Sequence, residues 1–149
     1  MNAIEVPEKP AHSTQPQPPS RPIVYACSGC SDAGELADRV ARQLNQIGVA
    51  EMSCLAGIGG RVRSLMTKGQ KAQRILVIDG CPLNCARHTL ELAGLKHYEH
   101  LALNDIGLRK GNCPVTDERI AAGVEAARRV LTAVQISPDQ SPEQGRVLR

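Results

Sequence analysis

Apolar and polar positions along this chain switch repeatedly between two spacings, and the switching predicts an architecture. Pro22 to Ala26 is a short, continuous apolar run suited to a buried strand, and it stops at Cys27-Ser28-Gly29-Cys30. Ala33, Leu36, Ala37, Val40, Leu44 and Ile47 then recur at helical spacing. Asp32 with Glu35 three positions later reads as a variant capping box opening this helix, and Gly48 is placed to end it. A second strand, about Val49 to Cys54, runs into Leu55-Ala56-Gly57-Ile58-Gly59-Gly60, and a short helix is predicted from about Arg61 to Lys68. The most continuous apolar stretch, Arg74 to Ile78, fits a central strand covered on both faces and ends at Asp79-Gly80-Cys81.

Pro82 suits the first turn of a following helix that carries Leu83, Ala86, Leu90 and Ala93 and closes at Gly94. A fourth strand is predicted near Tyr98 to Leu103. A last helix starts at a Thr116 cap and continues through Ile120, Val124, Ala127, Leu131 and Val134. Strands alternating with helices imply parallel pairing through right-handed crossovers. The expectation is an α/β fold: an open, mostly parallel sheet of four strands with helices on both faces, in three layers. All strand C-termini then share one edge, where ligands bind in open α/β sheets.

The ends do not share this pattern. Residues 1–21 are rich in proline, glutamine and serine and nearly free of large apolar groups, so they cannot bury enough surface to offset their ordering entropy. They are expected to form a disordered tail, as is 137–149, leaving 22–136 as one α/β domain.

Composition narrows the function. No apolar run approaches the roughly 20 residues of a membrane-spanning helix, and MNAIEVPEKP has neither the basic nor the apolar region of a secretory signal. The expected compartment is the cytoplasm. The net charge of +3 is mild and spread along the chain, and Tyr25 and Tyr98 are the sole aromatics, so there is no stacking platform for single-stranded nucleic acid. Neither nucleic acid nor membrane is expected as a partner. A metal ion is.

That expectation comes from the six cysteines. In a reducing compartment they point to metal or redox chemistry before structural disulfides. Cys27 and Cys30 follow the first strand, Cys54 closes the second, and Cys81 and Cys85 follow the third, so three segments deliver thiols to one edge. Cys27-x-x-Cys30 can place two sulfurs on one ion at about 2.3 Å. Cys81 and Cys85, four apart at a predicted helix start, would lie one turn apart on one face, where the helix N-terminus favours thiolate over thiol. Gly29 and Gly80 would let backbone N–H groups approach the sulfurs, and Asp79 is a candidate hydrogen-bond acceptor behind them. Cys113, beside Pro114, reads as a buried packing residue. His88 lies on the cysteine-bearing helix but a turn further from the sheet edge. His97 and His100 have no matching partner.

Taken together, Cys27-Ser28-Gly29-Cys30, Cys54-Leu55-Ala56-Gly57-Ile58-Gly59-Gly60 and Asp79-Gly80-Cys81 with Cys85 resemble the DGC-domain family, named for its Asp-Gly-Cys motif. The resemblance covers about Pro22 to Val134. It implies a zinc-binding protein of unassigned biochemical role, with Cys27, Cys54, Cys81 and Cys85 as the matching chelators and Cys30 as an additional thiol. From the residues themselves, Cys30 and Cys54 both stay open as the fourth ligand.

Three functional classes follow. The first is a thiolate-ligated metal protein, with zinc as the metal. The second is a redox protein, either a thiol–disulfide exchanger built on Cys27 and Cys30 or an iron–sulfur protein, since such clusters also take four thiolates. The third is a phosphatase- or arsenate-type enzyme, because Cys81 to Arg87 has the C-x5-R spacing of a cysteine nucleophile under an arginine. Pro82 opposes this last reading by removing an N–H donor next to the nucleophile.

Overall fold

The run after Arg74 becomes the hub of the sheet. In the computed structural model of the protein, which describes residues 20–133, β3 (Ile75–Asp79) is buried at every position and pairs in parallel with β1 (Ile23–Ala26) on one side and β4 (Glu99–Ala102) on the other. β2 (Glu51–Met52) pairs in parallel with the far side of β1, giving the order β2-β1-β3-β4. The fold class is α/β and the sheet is wholly parallel. Apart from Ser20 and Arg21, the expected tails lie outside the described residues.

Period-two alternation splits the core between the faces. Val24, Ala26, Leu76, Ile78 and Leu101 meet Leu36, Val40 and Leu44 of α1 (Asp32–Gln46) and Val124, Ala127 and Leu131 of α5 (Asp117–Ala133). Ile23, Tyr25, Ile75 and Val77 meet Ile58 of α2 (Leu55–Gly59), Leu65 and Met66 of α3 (Arg63–Lys71) and Ala86 and Leu90 of α4 (Cys85–Leu92). Each large apolar side chain so buried contributes about 1.5–3 kcal/mol relative to exposure. At the strand N-termini, Arg74 bonds Glu99 at 2.7 Å and the Leu131 carbonyl at 2.9 Å, tying β4 and α5 together. The short edge strand β2 is closed from outside, because Asn45 Oδ1 accepts the outward Met52 N–H at 3.0 Å.

Four local expectations are corrected. The cap of α1 is Ser31, whose side chain accepts the Gly34 N–H, one residue before the expected Asp32. The glycine-rich segment after Cys54 forms α2, with no helix expected there, because burial of Ile58 and contact with Leu65 outweigh glycine's poor helix propensity. Pro82 stands in a turn closed by the Asn84 N–H on the Cys81 carbonyl, and α4 starts only at Cys85. Cys81 therefore precedes the helix instead of sharing its face with Cys85.

Candidate metal centre

β1 and β3 are neighbours, yet the helices that leave them pack on opposite faces, α1 on one and α4 on the other. This is the topological switch point of the sheet, where the loops diverge and leave a crevice at the strand C-termini. The loop after β1 carries Cys27 and Cys30, and the loop after β3 carries Cys81 and leads to Cys85. Two closely spaced thiol pairs thus flank one crevice.

Cys27 is the fixed member. Its Sγ accepts the Gly80 N–H at 3.1 Å, so the Asp-Gly-Cys backbone contacts the Cys27 sulfur directly. The close approach requires glycine, since a Cβ at position 80 would lie 2.2 Å from the Ala33 carbonyl oxygen in the first turn of α1. Burial pushes the Cys27 thiol up to about 11. The Gly80 N–H opposes that rise, whereas the negative charges of Asp79, Cys81 and Cys85 reinforce it. A cation in the crevice would reverse the balance, because it favours the thiolates that repel one another in its absence.

Asp79 organises the other side. Fully buried, it accepts the Ala86 N–H at 2.8 Å and the Arg87 N–H at 3.1 Å, capping α4 from the end of β3. The local cap position, Asn84, is left-handed and makes no side-chain cap bond. His100 Nε2 lies 3.0 Å from Asp79 Oδ2. An ionised carboxylate only accepts, which puts the ring proton on Nε2. Burial raises the Asp79 pKa, but His100 and the two amides more than offset that and hold the carboxyl below its usual range. Asp79 thus places the turn bearing Cys81 and Cys85 against Cys27, and His100, which sequence reasoning left without a partner, supports it. The signal in the sequence was an imidazole within a half-buried strand.

The remaining cysteines differ in setting. Cys30 and Cys85 are exposed, Cys81 is half-buried, and all six thiols are free. Cys54 is exposed beyond β2, on the side of β1 away from β3, where its Sγ accepts the Gly57 N–H at 3.3 Å. Cys113 is fully buried in the α1–α5 core. Its N–H and that of Gly111 donate to Asp32, holding that carboxyl below its usual range and pinning the 107–113 loop beside the start of α1. His88 is exposed and faces Glu91. Among the described residues, no three His, Cys, Asp or Glu side chains converge as they stand into a group able to hold a metal ion.

The crevice is poorly arranged for a phosphate-binding loop. The Ala86 and Arg87 amides that would face phosphate oxygens already serve Asp79, and Arg87 Nε lies 3.7 Å from Glu91. Among the described residues, no helix is long and apolar enough to cross a membrane.

Comparison with known proteins agrees with the motifs. The family model of the DGC domain matches residues 23–127, spanning every element from β1 into α5. The anaerobic and virulence modulator AnvM of Pseudomonas aeruginosa is 41% identical over 115 residues, which cover 74% of this chain and 86% of the relative. No solved structure matches the chain. With the Asp-Gly-Cys segment at the switch point and the family model covering nearly all of the described fold, the chain belongs to the DGC-domain family.

Proposed function

We propose that the chain is a cytoplasmic metal-binding protein that holds zinc with Cys27, Cys30, Cys81 and Cys85. The observation that carries this reading is the adjacency of β1 and β3, which brings a C-x2-C pair and a C-x3-C pair to one crevice. Both spacings are those of thiolate zinc sites. The donor set is chemically suited, being soft thiolate throughout, and the Gly80 N–H on Cys27 is the kind of contact that supports a metal-bound sulfur. Closing the shell requires the exposed Cys30 and Cys85 side chains to turn inward, as freely rotating surface thiols can. Cys54 ends the strand on the other side of β1, one strand from Cys27 as Cys81 is, and is the alternative to Cys30 that the family resemblance implies.

A second reading, a redox-active or iron–sulfur protein on the same thiolates, draws support from the name of the Pseudomonas relative, which links that protein to anaerobic modulation. One preparation separates the two. The full chain, purified reduced and without oxygen, is analysed for metals and acid-labile sulfide and its absorption spectrum recorded. About one zinc per chain and a colourless solution are expected, with strong zinc loss on replacing Cys27, Cys30, Cys81 or Cys85 by Ser; loss on Cys54→Ser with none on Cys30→Ser makes Cys54 the fourth ligand instead. A brown solution containing iron and sulfide establishes the cluster instead, and the absence of any stoichiometric metal overturns both.

A further inference from the structure

The sheet ends differently at its two edges. β2 is closed by Asn45, which takes the outward Met52 N–H. β4 is the last strand on the other side, and among the described residues no group bonds its outer edge. The outward N–H and C=O groups of an edge strand template a further strand, and proteins normally blunt such an edge with lysine, proline or a covering element. β4 holds neither lysine nor proline, and its Glu99 and His100 side chains are engaged by Arg74 and Asp79 within the chain. The helices leave the edge open as well. One flank of α5 lies against Gln43 and Ile47 of α1, so the opposite flank, with Ala122, Ala126 and Val130 at helical spacing, looks out over the β4 edge. On the other face α4 ends at Leu92, which is 79% exposed and lines a groove of about 580 Å³ with Lys96 and Tyr98 at the start of β4. The 3-10 turn Leu103–Ile106, just past the strand, carries a second exposed apolar group, Ile106.

We infer that β4 pairs antiparallel with β4 of a second copy across a two-fold axis, joining the two sheets into one of eight strands. Charge at the ends of the edge selects a second copy over an unrelated strand. Antiparallel pairing sets the approach to β4 in one copy against the turn that follows it in the other. Lys96 and His97 thereby meet Asp105, and Ile106 is carried to the groove at Leu92. Lys96, His97 and Asp105 are exposed and make no ion pair among the described residues. Residues opposed in an antiparallel pair share a face, so a symmetric register centres on a residue. A centre at His100 would oppose two imidazoles, whereas a centre at Leu101 opposes two leucines, sets His100 against Ala102 and brings His97 to Asp105. Each contact then occurs twice by symmetry. The cysteine crevices open at opposite ends of the joined sheet, so neither copy can complete the other's thiolate shell, and the inference is independent of the zinc reading.

The full chain, kept reduced to exclude intermolecular disulfides, is followed by sedimentation velocity over a range of concentrations, with and without a zinc chelator. A species of twice the 16.0 kDa chain mass is expected, persisting under chelation wherever circular dichroism shows the chain still folded. Lys96→Glu and Asp105→Lys, both at exposed positions, should each weaken the dimer about tenfold, because symmetry turns two exposed attractions into repulsions at once. The two substitutions combined should restore it, which a variant that merely unfolds could not do. Ile106→Glu should weaken it further than either single charge reversal. Hydrogen exchange at the Glu99–Ala102 amides should slow as concentration rises, in the native chain and in the combined variant. A chain that stays monomeric throughout overturns the inference. So does a dimer that tolerates both charge reversals, one that forms without slowing exchange in β4, or one that a chelator disperses while the chain remains folded.

Discussion

His100 Nε2 meets Asp79 Oδ2 at 3.0 Å across a diagonal of the sheet, because the β3–β4 register sets His100 opposite Val77 and so on the same face as Asp79. The same carboxylate caps α4, so one buried group links β3, β4 and the helix carrying Cys85. Asp79→Ala leaves two amides and an imidazole unpaired and should cost about 3–5 kcal/mol, the range for breaking a buried charged pair. His100→Ala leaves both amide bonds in place and should cost about 1–3 kcal/mol. Urea denaturation of both variants checks the order. An Asp79→Ala chain no less stable than His100→Ala would contradict the capping role.

Gly80 and Gly57 are both crowded, but by different neighbours. A Cβ at Gly80 meets the Ala33 carbonyl oxygen at 2.2 Å and carbon at 2.5 Å, whereas a Cβ at Gly57 meets the Leu65 Cδ1 methyl at 2.0 Å. Backbone cannot step aside and a leucine terminus can. Gly80→Ala should therefore lower stability by about 3 kcal/mol or more, and Gly57→Ala by about 1–2 kcal/mol. Thermal melts of the two variants measure the difference, and equal losses would show that the first turn of α1 yields as easily as a side chain.

Cys113→Ser tests packing against ligation. The thiol is fully buried among apolar side chains, and a hydroxyl there would lack a ready partner. A loss of about 1–3 kcal/mol is expected, with zinc content unchanged. Metal analysis beside a denaturation curve reads both, and loss of zinc by the folded variant would draw Cys113 into the site.

Alkaline titration gives a clean optical reading, because Tyr25 and Tyr98 are the only tyrosines and there is no tryptophan. Burial raises the Tyr25 pKa, and burial together with the bond to Glu91 pushes Tyr98 up to about 12. In the folded state both phenols keep their protons beyond the usual value near 10. The proton-linked stability is thus complete below about pH 10 and is lost as pH rises from there toward 12. Tyrosinate absorbance should lag behind that of free tyrosine and rise with unfolding. A reversible rise centred near 10 in folded protein would contradict the buried placement.

Much of this was legible in the chain because burial dictates periodicity. The strands around Tyr25 and Val77 and the helix through Leu36 and Leu44 each bury a defined face, so their spacing alone located them. The cysteines' common edge followed from strand ends and parallel pairing. What stayed hidden depends on register and long-range contacts. Nothing local says that His100 lies diagonal to Asp79, that Asp32 serves the amides of Gly111 and Cys113, or that Asp79 caps a helix seven residues on. The segment Leu55–Gly59 is helical against its glycine content because Ile58 is buried on the sheet, a tertiary contact that propensity does not contain.

The absent side chain at position 80 makes the two cysteine loops a single mechanical part. With Gly80 seated on the carbonyl of Ala33 and bonded to the Cys27 sulfur, the third strand's loop and the first turn of α1 share a seam with no slack. A displacement of the Asp-Gly-Cys loop is therefore felt first at the start of α1 and at the Cys27 sulfur, the two groups that Gly80 touches.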